Sequence, residues 1–203
     1  NRVSVVHNGI IENHRRLRSE LEAAGRVFTS QTDTEVVPQL IARHLESGLP
    51  IEEAIRRAVS HLRGTYALGI LYEGAPDTLF AVRSGSPLIM GIGAEARYLA
   101  SDVSALLPYT KDVVSLEDGN LAILRNSGID LKNVASLEML PLEGRITSVD
   151  WTPAMAEKQG YDHFMLKEIH EQPQGVMDTL REWISGPDRF LDETGIAGAI
   201  SDL

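Results

Sequence analysis

The spacing of apolar residues divides the chain into a helical first third and a strand-rich middle. Val3 to Val6 is a short β-branched apolar run and reads as a buried strand. It is expected to stop at His7-Asn8-Gly9, because Asn-Gly tolerates the positive φ angles of a turn. A helix follows from about Asn13, with Leu17, Leu21 and Ala24 on one face, and Gly25 is placed to end it. Val27 to Thr29 reads as a short strand. Thr32 and Glu35 have capping-box spacing, and Thr34 is an alternative cap. Val37, Leu40, Ile41 and Leu45 then form a helical stripe up to Gly48; Pro38 makes this helix start late or kink. Ile51, Ile55, Ala58, Val59 and Leu62 give a third helix, closed by Gly64.

After Gly64 the period changes. Tyr66–Tyr72, Thr78–Arg83, Leu88–Ile92, Arg97–Ala100, Asp112–Leu116 and Asn120–Leu124 are strand-length runs separated by Gly, Pro, Asp and Asn turns. Helices packed on antiparallel strands make an α+β layered domain. Several runs are apolar on both faces, so the sheets are expected to be covered on both sides. From Ile129 the pattern weakens. Thr147 to Gly160 reads as a connector, Phe164 to Trp183 as helical pieces broken by Pro173, and the run from Gly195 as small and mobile. Residues 1–128 therefore read as one domain and 129–203 as a connector or hinge.

Composition narrows the chemistry. The formal net charge of -10 argues against a nucleic-acid partner. The densest basic cluster, Arg15, Arg16 and Arg18, falls on a solvated helix face. No apolar run is long enough to span a bilayer. With no cysteine there is no disulfide, thiolate metal site or Cys nucleophile within these residues. The six histidines show no metal-binding spacing, so no metal or other cofactor is expected. Gly91-Ile92-Gly93-Ala94-Glu95-Ala96 resembles a dinucleotide fingerprint after a strand, but Arg97–Ala100 after it reads as another strand where that motif needs a helix. Gly85-Ser86-Pro87 lacks the glycine pattern of a nucleophile elbow and reads as a turn.

Two positions stand out. Asn8 and Gly9 supply a side-chain amide and an unhindered backbone N–H at a strand end, the material of an oxyanion hole or of an ordinary turn. Asp33 is a carboxylate among threonines before a helix, suited to capping it or to holding a substrate ammonium.

Several segments together resemble the glutaminase domain of the glutamine–fructose-6-phosphate aminotransferases. They are Val5-Val6-His7-Asn8-Gly9-Ile10-Ile11-Glu12-Asn13, Thr32-Asp33-Thr34-Glu35-Val36, Arg63-Gly64-Thr65-Tyr66, Arg83-Ser84-Gly85-Ser86-Pro87-Leu88, Ala100-Ser101-Asp102 and Lys167-Glu168-Ile169-His170-Glu171-Gln172-Pro173. The first two are shared more widely among class II amidotransferases. The fourth and the last point to the hexosamine enzymes.

The resemblance implies an N-terminal-nucleophile (Ntn) hydrolase fold, an αββα sandwich, here incomplete because its N-terminal strands are missing. It implies glutamine hydrolysis by an N-terminal cysteine whose α-amine is the base. The ammonia then passes to a separate sugar-isomerase domain, which converts fructose 6-phosphate to glucosamine 6-phosphate. By the same resemblance Asn8 and Gly9 bind the oxyanion and Asp33 binds the α-ammonium of glutamine. Lys167 to Pro173 is the hinge, and the parent is a cytoplasmic homodimer. The family's cysteine and the arginine that grips the glutamine carboxylate have no counterpart in these residues. The chain alone is therefore expected to be inactive, and an opening at Asn1 without Met reads as a truncation that leaves a sheet edge exposed. Two alternatives stay open: another class II amidotransferase, such as an amidophosphoribosyltransferase, and a degenerate, non-catalytic binding module.

Overall fold

A computed structural model describes residues 2–149 and 161–185. It divides into two compact units, Asn1–Pro153 and Ala154–Leu203.

The first unit begins with strand β1 (Val3–Ile11), helix α1 (His14–Ala23), a 3-10 turn (Asp33–Glu35), α2 (Val36–Glu46) and α3 (Ile51–Ser60). Strands β2 (Gly64–Tyr72), β3 (Thr78–Ser84), β4 (Ile89–Ile92), β5 (Arg97–Ala100), β6 (Asp112–Ser115) and β7 (Asn120–Arg125) follow. Then come β8 (Gly128–Asn133), β9 (Met139–Leu140) and β10 (Thr147–Ser148). All strand pairs are antiparallel, in one sheet ordered β1-β2-β3-β7-β8-β9 and a second ordered β10-β6-β4-β5.

Alternation along the central strands separates two cores. Tyr66, Leu68 and Ile70 of β2, Phe80 and Val82 of β3, and Leu121 and Ile123 of β7 join Leu17, Leu21, Leu40, Ile41 and Ile55 of the helices. The opposite face carries Ala67, Ala81, Ala122 and Leu124, which cluster with Met90 and Val114 of the second sheet and with Leu116 just after β6. Large side chains thus fill the helix side and small ones the sheet side. Gly69, Ala81 and Ala122 are register neighbours across three strands. A Cβ at Gly69 would come within 3.1 Å of Leu99 Cδ2, so the small row lets the sheets approach closely.

The helix ends follow the glycines. In α1 the Gly25 N–H bonds Glu22 O and the Arg26 N–H bonds Leu21 O, a Schellman close with Gly25 at φ 83°. Gly48 closes α2 in the same way. Pro38 is the third residue of α2, where its missing N–H would have had no intrahelical partner.

Several expectations need correction. The first strand does not stop at Asn8-Gly9. It runs on to Ile11, with Asn8 opposite Ala67 and Gly9 opposite Tyr66. Val27 to Thr29 is not a strand: Phe28 packs against the core from an irregular segment, and Val27 is largely exposed. Thr32 makes no side-chain cap. The large sheet continues past residue 128 through β8 and β9, and residues 147–148 pair with β6, so the compact unit extends beyond the boundary expected at Ile129. Gly93 and Ala96 close a β4–β5 hairpin, as the turn reading of the Gly91-Ile92-Gly93 segment requires.

In the second unit, α4 (Phe164–Ser185) is one helix with Pro173 inside it rather than broken pieces. Pro173 removes one backbone donor from the helix ladder. Within this helix Lys167 and Glu171 form an i,i+4 pair at 3.8 Å, and Tyr161, ahead of the helix, stacks its ring on that of His170. Residues 150–160 and the run from Gly195 lie outside the described residues. No helix among the described residues is long and apolar enough to cross a membrane.

Candidate functional site

The site lies along the outer edge of β1. Strand β1 ends the order of the large sheet, so among the described residues only β2 pairs with it. The β1–β2 register runs from Val3 opposite Tyr72 to Ile11 opposite Gly64. Glu12 N–H donates to Arg63 O, and Glu73 N–H donates to Arg2 O, each at 2.9 Å. These bonds flank the pairing at both ends and share its register. Even-numbered residues of β1 therefore turn their backbone groups toward β2, and odd-numbered ones turn theirs outward. His7, Gly9 and Ile11 all present their N–H groups to the open edge.

One of these donors is occupied. Asp33 Oδ2 accepts the Ile11 N–H at 2.7 Å. The Gly9 N–H lies two residues back along the same edge, roughly 7 Å away at the rise of an extended strand. Asn8 is exposed, and its side-chain amide has no hydrogen-bond partner among the described residues. The structure thus brings Asn8, Gly9 and Asp33 to one strand edge.

Gly9 is required there by space as well as by conformation. Its φ is 138°, and a Cβ would fall 2.1 Å from the Thr65 carbonyl oxygen and 2.9 Å from Ser86 Oγ. An L-residue would collide with backbone of the paired strand, which cannot yield without breaking the ladder. The Asn-Gly pair that looks like a turn in sequence is a close backbone approach within a strand.

The loop carrying Asp33 is pinned from behind. Glu35 accepts from the backbone N–H groups of Thr29 (2.8 Å) and Ser30 (2.6 Å) and from both of their hydroxyls. The Ser30 hydroxyl bond leads the effects that pull the Glu35 carboxyl down to about 2, against the opposing effect of burial. Glu35 is therefore not the reciprocal half of a capping box with Thr32. It ties the 29–35 loop into a closed shape that places Asp33 against β1.

The segment after β3 forms the other wall. Gly85 has φ 76°, a Cβ on it would fall 2.7 Å from Thr65 Cγ2, and its N–H donates to Asp118 Oδ1 at 2.9 Å. Arg83 donates from Nε to Ser86 O at 2.9 Å, donates from Nη1 to Leu116 O, and pairs with Asp118 at 3.3 Å. This bracing holds Ser86 beside Gly9. Tyr66, opposite Gly9, has its phenol pushed up by burial, with the Ser84 hydroxyl bond opposing.

Sequence reasoning gave no site role to three residues of this neighbourhood: His7, Thr34 and Ser86. His7 Nδ1 and Thr34 Oγ1 are 3.0 Å apart. Each of the three belongs to a segment already marked by its resemblance, and that adjacency was the available signal. Their contacts join residues far apart in sequence, which spacing alone does not reveal.

An exposed amide, an outward backbone N–H and a tethered carboxylate on one edge form a set of donors and a counter-charge. The set suits a ligand with a polar carbonyl at one end and an ammonium at the other. It contains no nucleophile of its own.

Comparison with known proteins agrees with this chemistry. A family model described as a glutamine amidotransferase domain matches residues 1–108. The glutamine–fructose-6-phosphate aminotransferase (isomerizing) of Symbiobacterium thermophilum is 48% identical over 200 residues, covering 98% of this chain and 32% of that protein. The enzyme of the same name from Methanothermobacter thermautotrophicus is 47% identical over 181 residues, covering 89% of this chain and 30% of that protein. The chain thus spans about a third of the length of these relatives. Among solved structures, the glutamine phosphoribosylpyrophosphate amidotransferase of B. subtilis superposes with a TM-score of 0.58 at 26% identity, over 68% of this chain and 30% of that one. The α+β architecture with two stacked antiparallel sheets is the Ntn-hydrolase type that the sequence resemblance implied. With more than half of its length matched by the family model, the chain belongs to the glutamine amidotransferase domain family.

Proposed function

We propose that this chain forms the oxyanion hole and the ammonium site of a glutamine-hydrolysing domain. The whole protein would be a glutamine–fructose-6-phosphate aminotransferase that makes glucosamine 6-phosphate and glutamate. The observation that carries this reading is the edge of β1. There the Gly9 N–H and the Asn8 amide have no hydrogen-bond partner among the described residues, while Asp33 is fixed one step along at Ile11.

In this reading glutamine lies along the edge with its α-ammonium on Asp33 and its side-chain carbonyl at Asn8 and Gly9. A cysteine thiol from outside these residues attacks the carbonyl carbon. The negative charge that develops on oxygen is held by the Asn8 Nδ2 and Gly9 N donors. The C–N bond breaks, the amide nitrogen takes up the proton given up by the thiol and leaves as ammonia, and water later hydrolyses the thioester to release glutamate and restore the thiol. Asp33 acts earlier, in binding. A carboxylate facing the α-ammonium favours glutamine over simple amides by a charge-assisted contact.

Identities of 47–48% to the fructose-6-phosphate enzymes, against 26% to the phosphoribosylpyrophosphate enzyme, support the sugar as acceptor. We assign the Lys167 to Pro173 segment to the hinge toward the sugar-isomerase part, and the whole protein to a cytoplasmic homodimer. The test is a graft in which this chain replaces the matched 200 residues of the Symbiobacterium thermophilum enzyme. The reading expects glutamate and glucosamine 6-phosphate from glutamine and fructose 6-phosphate. A folded graft that retains sugar isomerisation but releases no ammonia from glutamine contradicts it, and favours a non-catalytic module.

A further inference from the structure

We infer that His7 is a positioning residue for the ammonium-binding carboxylate, acting through the hydroxyl of Thr34. This rests on the role of Asp33 proposed above.

Three contacts carry it. His7 Nδ1 lies 3.0 Å from Thr34 Oγ1. The Thr34 hydroxyl reaches Asp33 Oδ1 at a longer 3.5 Å. The other oxygen of Asp33 accepts the Ile11 N–H at 2.7 Å. His7 and Ile11 are both odd-numbered positions of β1, so the network leaves the strand at His7, crosses Thr34 and Asp33, and returns at Ile11.

The donor directions follow from the chemistry of the groups. An ionised carboxylate only accepts. The single Thr34 hydroxyl proton therefore goes to Asp33, and Thr34 Oγ1 accepts from the ring. His7 must then carry its proton on Nδ1. Nε2 is buried without a hydrogen-bond partner among the described residues. That suits a bare ring nitrogen better than an N–H, because an unmet donor in that place would lose its hydrogen bond to water with no replacement. The ring thereby fixes the Thr34 hydroxyl, and the hydroxyl fixes the rotation of the carboxylate about its Ile11 tether. Asp33 Oδ1 keeps acceptor capacity for an ammonium.

The conservative replacement is Asn, whose amide nitrogen falls near the place of the histidine Nδ1. Leu occupies similar space with no donor. In the grafted enzyme described above, His7→Leu and Thr34→Val are each expected to raise KM for glutamine about fivefold to tenfold, the scale of one lost hydrogen bond to a charged network. Their kcat is expected to stay within about twofold, since Asp33 contacts the end of the substrate remote from the reacting carbonyl. His7→Asn is expected to remain within about threefold of the parent in KM. The glutamine analogue lacking the α-amino group supplies the decisive comparison, because none of these variants should change its kcat/KM.

Equal losses on glutamine and the analogue would mean that His7 only supports the fold, and would overturn the inference. Unchanged KM in His7→Leu would do the same. Asp33→Asn separates the two levels of the argument. If it abolishes the preference for glutamine over the analogue while His7→Leu leaves that preference intact, the inference about His7 fails alone. If Asp33→Asn leaves the preference intact, the assignment of Asp33 fails and the role of His7 falls with it. Nitrogen NMR of the His7 ring in the chain itself gives a check independent of turnover. The inference expects the Nδ1–H form, lost in Thr34→Val; an Nε2–H ring contradicts it.

Discussion

The Ile11 N–H donates to Asp33 Oδ2 at 2.7 Å, joining a 3-10 turn to the open edge of the first strand. The bond fills one outward backbone donor, while the Gly9 donor on the same edge has no partner among the described residues. It gives Asp33 the task of holding the loop, separable from the proposed task of holding a substrate ammonium. Asp33→Asn keeps an oxygen for Ile11 and removes the charge, whereas Asp33→Ala removes both. In the grafted enzyme, Asp33→Asn is expected to raise KM for glutamine by about tenfold or more with little loss of stability. Asp33→Ala is expected to add a loss of about 1–3 kcal/mol in urea unfolding, the cost of leaving a backbone donor unmet. Equal stability loss in both variants would show that the charge, not the tether, holds the loop.

Gly9 admits no side chain. A Cβ would stand 2.1 Å from the Thr65 carbonyl oxygen, and φ is 138°. Gly9→Ala is expected to destabilise the chain by about 2–4 kcal/mol, since two backbone segments must separate. Gly25→Ala is a useful contrast. Position 25 also has positive φ but open space around it, so only the conformational cost of about 1 kcal/mol is expected. Urea midpoints of the two variants measure the difference.

Glu35 makes the loop acid-sensitive. Its carboxyl is pulled from 4.5 down to about 2 by bonds from Ser30 and Thr29. In the window between those values the folded chain binds fewer protons than the unfolded one, so its contribution to stability rises with pH. That contribution is complete above about 4.5 and is lost as pH falls through about 2. Glu35→Gln should flatten this part of the stability profile, read from urea unfolding between pH 5 and pH 2.5. A variant that keeps the parent slope would place the acid sensitivity elsewhere.

One face of β1 is bare. Val6 is 71% exposed, Ile10 64%, and Leu71 of β2 52%, beside a strand edge with outward backbone groups. Such an edge recruits other strands. The chain by itself is expected to self-associate with rising concentration, and Val6→Lys to suppress this, as measured by light scattering. Unchanged association in Val6→Lys would place the sticky surface elsewhere.

The helices and the central strands were legible because their apolar positions repeat. Leu17 and Leu21, Leu40 and Ile41, and the Tyr66–Leu68–Ile70 alternation each point to one core. The outer strands were not legible for the same reason. In β8 only Leu131 is buried, so Gly128–Asn133 shows no alternation, and its place comes from hydrogen bonding to β7. Asn8-Gly9 misled in form while marking the right place. Its turn propensity is local, but nine paired positions with β2 override it. Residue type left Asn8 and Gly9 open between an oxyanion hole and a turn, and Asp33 between a cap and an ammonium site, and the resemblance chose between them. The contacts that tie Asp33 to Ile11, Thr34 to His7 and Glu35 to Ser30 are tertiary, and only the folded chain displays them.

The central claim is that Asn8 and Gly9 hold the charge that develops on the glutamine carbonyl oxygen. The most direct measurement is kcat for ammonia release from glutamine in the grafted enzyme with and without Asn8→Ala. The account predicts a fall of about a hundredfold or more in kcat, with KM changed little and the unfolding midpoint unchanged, because an exposed amide contributes little to the fold. A fully folded Asn8→Ala enzyme that turns over glutamine at the parent rate would contradict it.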